Sequence, residues 1–180
     1  MAVTRARNRN DRPPLDAGTL EQAALSYAGR YATTRAKLAA YLVRKVRERG
    51  WTGDREPPIA ALVERMAGLG YVDDRAFAAA RAASLGRRGY GEHRVGAALR
   101  AAGIGDEDGA EARAQARERA WAAALRYAER RKLGPFAAAE GDRAAREKAL
   151  AALLRAGHPA PLARRLAWAA PGEIPDTDSL

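Results

Sequence analysis

The sequence contains no cysteine, so neither a disulfide framework nor a thiolate metal site is available to it, and a reducing compartment is permitted. Aromatic residues make up only 6%. The apolar runs are short and interrupted by arginine, so no segment is long enough to span a bilayer as a helix, and the N-terminus lacks the apolar core of a secretory signal. The two histidines, His93 and His158, have no nearby set of companion ligands of the kind zinc requires. Gly86, Gly89 and Gly91 lack the lysine and hydroxyl of a phosphate-binding loop. The acidic pair Asp73–Asp74 is explained by a helix cap followed by a first-turn acid, because neighbours on a helix point about 100° apart. No catalytic constellation and no cofactor site is therefore expected.

What the chain has in excess is alanine and positive charge. Abundant alanine with few β-branched and aromatic residues points to an all-α protein. The 32 Lys and Arg against 22 Asp and Glu give a net charge of +10 and a pI near 10.6, which implies an anionic partner: nucleic acid, an acidic protein surface or a nucleoprotein. Such partners need no membrane.

The helical segments share a closing signature. Gly50 follows Val46 and precedes Trp51, Gly103 follows Leu99 and precedes Ile104, and Gly157 follows Leu153 and precedes His158. These glycines stand roughly fifty residues apart, the size of a solenoid repeat. The spacing predicts three tandem three-helix repeats, about nine helices, in an elongated, curved array. Because alanine buries little area, neighbouring units should lean on one another.

Residues 1–18, with four arginines and two prolines, read as a disordered basic arm. Repeat 1 is expected over 19–70. Its first helix opens with Thr19 three residues before Gln22 and packs Leu20, Ala24, Leu25 and Ala28. A second helix, capped by Thr33 or Thr34, buries Leu38, Tyr41, Leu42 and Val46 and carries Lys37, Arg44 and Arg47 as a basic stripe. Pro57–Pro58 start a third, with Ile59, Leu62, Val63 and Met66 inward. Repeat 2, over 71–116, is expected to turn Phe77, Ala80 and Ala83 inward from its first helix and Val95, Ala98, Leu99 and Ala102 from its second. Its third helix lies between Asp106 and Gln115 and is interrupted by Gly109. Repeat 3, over 117–170, contributes helices of about 117–133, 142–156 and 161–169. Leu150, Leu153 and Leu154 face inward, followed by Leu162, Leu166 and Trp168. Residues 171–180, acidic and proline-bearing, read as a disordered tail.

The text Gly70–Tyr71–Val72–Asp73–Asp74–Arg75–Ala76–Phe77–Ala78, then Gly89–Tyr90–Gly91, Arg94–Val95, Leu99 and Gly103–Ile104, resembles the RecX family of bacterial recombination regulators. Ala24–Leu25, Leu38, Leu42 and Gly50 extend the resemblance into the first unit, and Leu153 with Arg155–Ala156–Gly157 into the third. Two positions depart from the pattern: His158–Pro159 replaces the aromatic that usually follows the third glycine, and Gly109 sits in the sixth helix. The resemblance implies a cytoplasmic, non-enzymatic protein that binds RecA and lies along the RecA filament on single-stranded DNA. There it modulates, mostly inhibits, ATPase, strand exchange and coprotease activity. A monomer suffices for this. The residues expected to meet RecA or DNA are Lys37, Arg44 and Arg47, then Arg87, Arg88, Arg94 and Arg100, then Arg130, Arg131 and Lys132. The rival reading is a helix-turn-helix protein that binds DNA directly, although no single helix concentrates base-reading Asn, Gln and Arg.

Overall fold

Helix formation begins earlier than the sequence suggests, because Asp16 rather than Thr19 takes the N-cap. The Asp16 carboxylate accepts the Thr19 amide at 2.8 Å, and the Thr19 hydroxyl accepts the Asp16 amide at 2.9 Å, which closes a capping box. These bonds to its charged form hold the Asp16 carboxyl below the usual carboxylate range. The structure, a computed structural model, describes residues 12–176. The greater part of the expected basic arm, residues 1–11, and the end of the expected tail, residues 177–180, lie outside the described residues. Residues 13–18, expected in that arm, belong to the first unit. Leu15 is fully buried, donates its N–H to the Gly50 carbonyl at 3.0 Å and accepts the Thr52 N–H at 3.0 Å, while the Arg49 guanidinium holds the Pro13 carbonyl. An apolar side chain in an otherwise polar stretch is what fastens it.

The chain divides into two compact units, one ending at Asp74 and one beginning at Arg75. The first contains α1 (Ala17–Arg30), α2 (Arg35–Arg49) and α3 (Ile59–Gly68). Thr34 caps α2 by accepting the Lys37 amide at 3.2 Å, which decides between the two threonines. Leu20, Leu38, Leu42 and Met66 are fully buried in one cluster with Leu15, each contributing on the order of 1.5–3 kcal/mol of transfer free energy.

The second unit holds most of α4 (Asp74–Arg87), then α5 (Glu92–Ala101), α6 (Asp106–Glu118), α7 (Ala120–Arg131), a 3-10 turn at Gly134–Phe136, α8 (Arg143–Arg155) and α9 (Ala160–Trp168). It has two apolar clusters. One gathers Leu85, Val95, Leu99 and Ile104; the other gathers Ala128, Leu153, Leu162 and Leu166. The described residues thus form nine α-helices, with no strand, in successive triplets that each have a core. Gly172, at the start of the expected tail, is tied by its N–H to the Pro135 carbonyl at 2.8 Å.

Three inward assignments change. On α4 the buried residues are Ala78, Ala82 and Leu85, whereas Ala80 is exposed and Phe77 half-buried. Alanine occurs on every side of this helix, so the apolar period has no unique phase there. Leu154 is 42% and Trp168 40% exposed, and Ala149, Ala163 and Ala167 are buried in their place. Gly109 does not interrupt α6: it is buried within an unbroken helix, and a side chain there would meet the Arg113 guanidinium. Arg113 instead folds over Gly109 to donate to the Gly105 and Asp106 carbonyls.

Gly50, Gly103 and Gly157 all have positive φ, at 83°, 75° and 90°. The two later glycines close Schellman motifs: Ile104 N–H reaches the Leu99 carbonyl at 3.0 Å and His158 N–H the Leu153 carbonyl at 3.2 Å. Gly50 lacks that longer bond, and its own carbonyl turns to Leu15.

Candidate functional site

All ten cations expected at the interaction surface are exposed. In the first unit Lys37, Arg44 and Arg47 are exposed along α2, and Arg44 also borders a hollow. α1 and α2 flank this open hollow of about 380 Å³, lined by Ser26, Tyr27, Arg30, Tyr31, Tyr41, Arg44 and Lys45. Tyr27 stacks on Tyr41 with centroids 4.1 Å apart and planes 16° from parallel, and Tyr31 lies 5.3 Å from Tyr27. Arg44 and Lys45 each stand 5.7 Å from the Tyr41 ring. Glu48 neutralises part of this charge, 3.7 Å from Arg44 and 3.5 Å from Lys45. Lys37 and Arg47 lie outside the hollow. Arg30 and Lys45 take part in it without having been anticipated, although Tyr27 to Tyr31 and Tyr41 to Lys45 are i,i+4 pairs visible in the sequence.

In the second unit the Gly89–Tyr90–Gly91 turn is a docking point between helices. The Gly91 amide donates to the Ala156 carbonyl at 3.0 Å and the His93 amide to the Gly157 carbonyl at 3.1 Å, so the open N-terminus of α5 is satisfied by the chain leaving α8. A Cβ on Gly91 would fall 2.2 Å from the Gly157 oxygen, and one on Gly157 would fall 2.4 Å from the Arg94 nitrogen. His158 is buried here, with Nε2 3.1 Å from the Gly89 carbonyl and its ring edge-on to Tyr127. A carbonyl only accepts, so Nε2 carries the proton. Burial lowers the His158 pKa from 6.5 to about 4, with His93 pushing the same way and the Gly89 bond opposing.

Three of the other expected cations, Arg88, Arg94 and Arg130, lie near this junction. Arg130 stands over Tyr127 at 5.8 Å and donates to the Arg88 carbonyl, which brings the end of α4 beside α7. Arg94 stands over Tyr90 at 5.6 Å. Lys132 caps α7 in the left-handed conformation. Arg100 and Arg131 are exposed without joining either group. Arg87 lines a separate groove of about 340 Å³ among α4 to α7, together with Arg119 and Arg126.

Asp74 has a structural task. It is 5% exposed, accepts the Arg35 amide at 2.9 Å at the start of α2, and lies 3.8 Å from the Arg35 guanidinium. Among the described residues no three potential ligands gather as a metal would need, and no helix is long and apolar enough to cross a membrane.

No protein-family model and no curated protein matches the chain by sequence. A solved structure does match in fold: the crystal structure of RecX from Lactobacillus salivarius. The two share 17% identity over 83% of this chain and 93% of that one, with a TM-score of 0.62. The all-helical architecture of this chain is a RecX-like fold.

Proposed function

We propose that this protein is a RecX-type regulator that binds RecA and the RecA filament on single-stranded DNA and lowers its ATPase, strand-exchange and coprotease activities. The observation that carries the reading is the coincidence of the central sequence motif, Gly70 to Ile104, with a RecX-like fold over most of the chain. The net charge of +10 and the exposure of all ten expected cations support a filament that presents phosphate beside protein. No residue is assigned to catalysis, and regulation proceeds by occupancy of the filament.

Within this reading the first unit is the part suited to DNA. Its hollow offers tyrosine faces with Arg30, Arg44 and Lys45 around them, the combination that holds single strands through stacking and phosphate contact. The test is the single-stranded-DNA-dependent ATPase of RecA titrated with this protein. Inhibition at substoichiometric amounts is the expected result. Tight binding to one duplex sequence with no effect on RecA would replace the regulator with a helix-turn-helix reader.

A further inference from the structure

The groove among α4 to α7 combines an apolar floor with a cationic rim. Its floor is made of small apolar groups, Ala82, Val95, Ala116 and Ala123, and its rim carries Arg87, Arg119 and Arg126 with no carboxylate in the lining. Some arginines of the same unit are neutralised, Arg75 by Glu107 and Asp108 at 2.8 and 3.0 Å, Arg113 by Asp106 at 3.4 Å and Arg117 by Glu92 at 3.6 Å, and others are exposed outside the groove, but the three of the rim converge on one concave floor. None of the three rim arginines is paired with a carboxylate among the described residues. A concave site with an apolar floor and three guanidinium groups unpaired with carboxylates on its rim suits an anion that also brings apolar surface.

We propose that this groove seats an acidic segment of a partner protein, with carboxylates on Arg87, Arg119 and Arg126 and one apolar side chain on the alanine floor. A nucleic-acid strand fits less well. The lining offers a single aromatic ring, Tyr90, beside three guanidinium groups, so successive bases have no platform to stack on, unlike the three tyrosines of the first-unit hollow. Guanidinium groups take carboxylates in a planar, two-pronged geometry, which gives the site direction as well as charge. The inference deepens the regulator reading by giving it a protein-contacting surface distinct from the tyrosine hollow.

The full chain, isotopically labelled, is titrated in nuclear magnetic resonance with four probes: a mixed Glu/Leu peptide, its Gln/Leu counterpart, an oligoglutamate and an oligo-dT. The Glu/Leu peptide is expected to shift the Arg119 and Arg126 side-chain signals and to bind at least about tenfold more tightly than the Gln/Leu or oligoglutamate peptides. Arg119→Glu with Arg126→Glu removes that binding, the milder Arg119→Gln with Arg126→Gln weakens it, and Arg143→Glu on α8 leaves it intact. Three results overturn the proposal: no movement of the groove signals with the Glu/Leu peptide, equal movement with oligoglutamate, or stronger movement with oligo-dT. The RecA ATPase assay separates the two readings. Groove binding without RecA inhibition sinks the regulator and keeps the groove; inhibition with no groove binding, unchanged by Arg119→Glu and Arg126→Glu, does the opposite.

Discussion

Gly50 in the first unit and Gly157 in the second occupy the same place in the repeated sequence signature, and both have positive φ, 83° and 90°. Their surroundings differ. A Cβ on Gly50 would meet only Pro14, at 3.6 Å, whereas one on Gly157 would overlap the Arg94 backbone at 2.4 Å. A shared helix-stop pattern records the backbone turn; what packs against that turn is decided elsewhere in the chain. Gly157→Ala should therefore combine left-handed strain with displacement of α5 and lose at least about 3 kcal/mol, against about 1–2 kcal/mol for Gly50→Ala. Urea melts read by Trp121 alone report the second unit and by Trp51 alone the first. Equal losses at the two glycines would dissolve the contrast.

The next effect belongs to the same junction. The folded His158 pKa of about 4 lies below its ordinary value of 6.5, so between those values the unfolded chain binds the extra proton. The stabilisation is complete above pH 6.5 and is lost as the pH falls toward 4, by up to about 3 kcal/mol. Melts at pH 7.5 and pH 5 should show the second unit losing about 2 kcal/mol of this, and His158→Phe should abolish the loss. A slope that survives His158→Phe would assign the acid sensitivity to another group.

In the first unit the comparable constraint is Asp74, whose carboxylate meets the Arg35 amide and guanidinium. Asp74→Ala should cost about 1–2 kcal/mol, as loss of a helix-capping acceptor does, with Asp74→Asn recovering part of it. The Trp51 signal checks this. A loss below about 0.5 kcal/mol would mean that Thr34 caps α2 unaided.

What was legible in the sequence follows from these examples. The nine helices and the glycine turns at 50, 103 and 157 could be read because helix periodicity and positive-φ stops are local properties. The buried side of α4 could not, since Ala78, Ala79, Ala80, Ala82 and Ala83 give no preferred direction. Nor could the roles of Gly91 and Asp74, which depend on Gly157 and Arg35 far away along the chain. Among the cations, residue type and exposure were foreseen, but grouping was not. Arg44 also shares a hollow with Arg30 and Lys45, because α1 supplies half of it, and Arg87 shares a groove with Arg119 and Arg126 because α6 and α7 supply its far wall.

That regrouping gives the smallest expected effects and extends the contrast between the units to their surfaces. A cation that meets phosphate contributes to the salt dependence of single-strand binding by about 0.7 in the logarithmic slope, whereas one that meets a carboxylate across a protein interface does not. Arg30→Gln and Arg44→Gln should each lower the slope for oligo-dT by about that amount, and Tyr31→Ala should weaken binding by about 1 kcal/mol with the slope unchanged. Lys37→Gln and Arg47→Gln, outside the hollow, should move the slope less than Arg30→Gln. Arg119→Gln and Arg126→Gln should leave it where it was. Fluorescence anisotropy across a salt series decides the matter: if the substitutions at Lys37 and Arg47 flatten the slope as much as those at Arg30 and Arg44, phosphate is read along the length of α2, and the tyrosine hollow is a consequence of packing rather than a binding site.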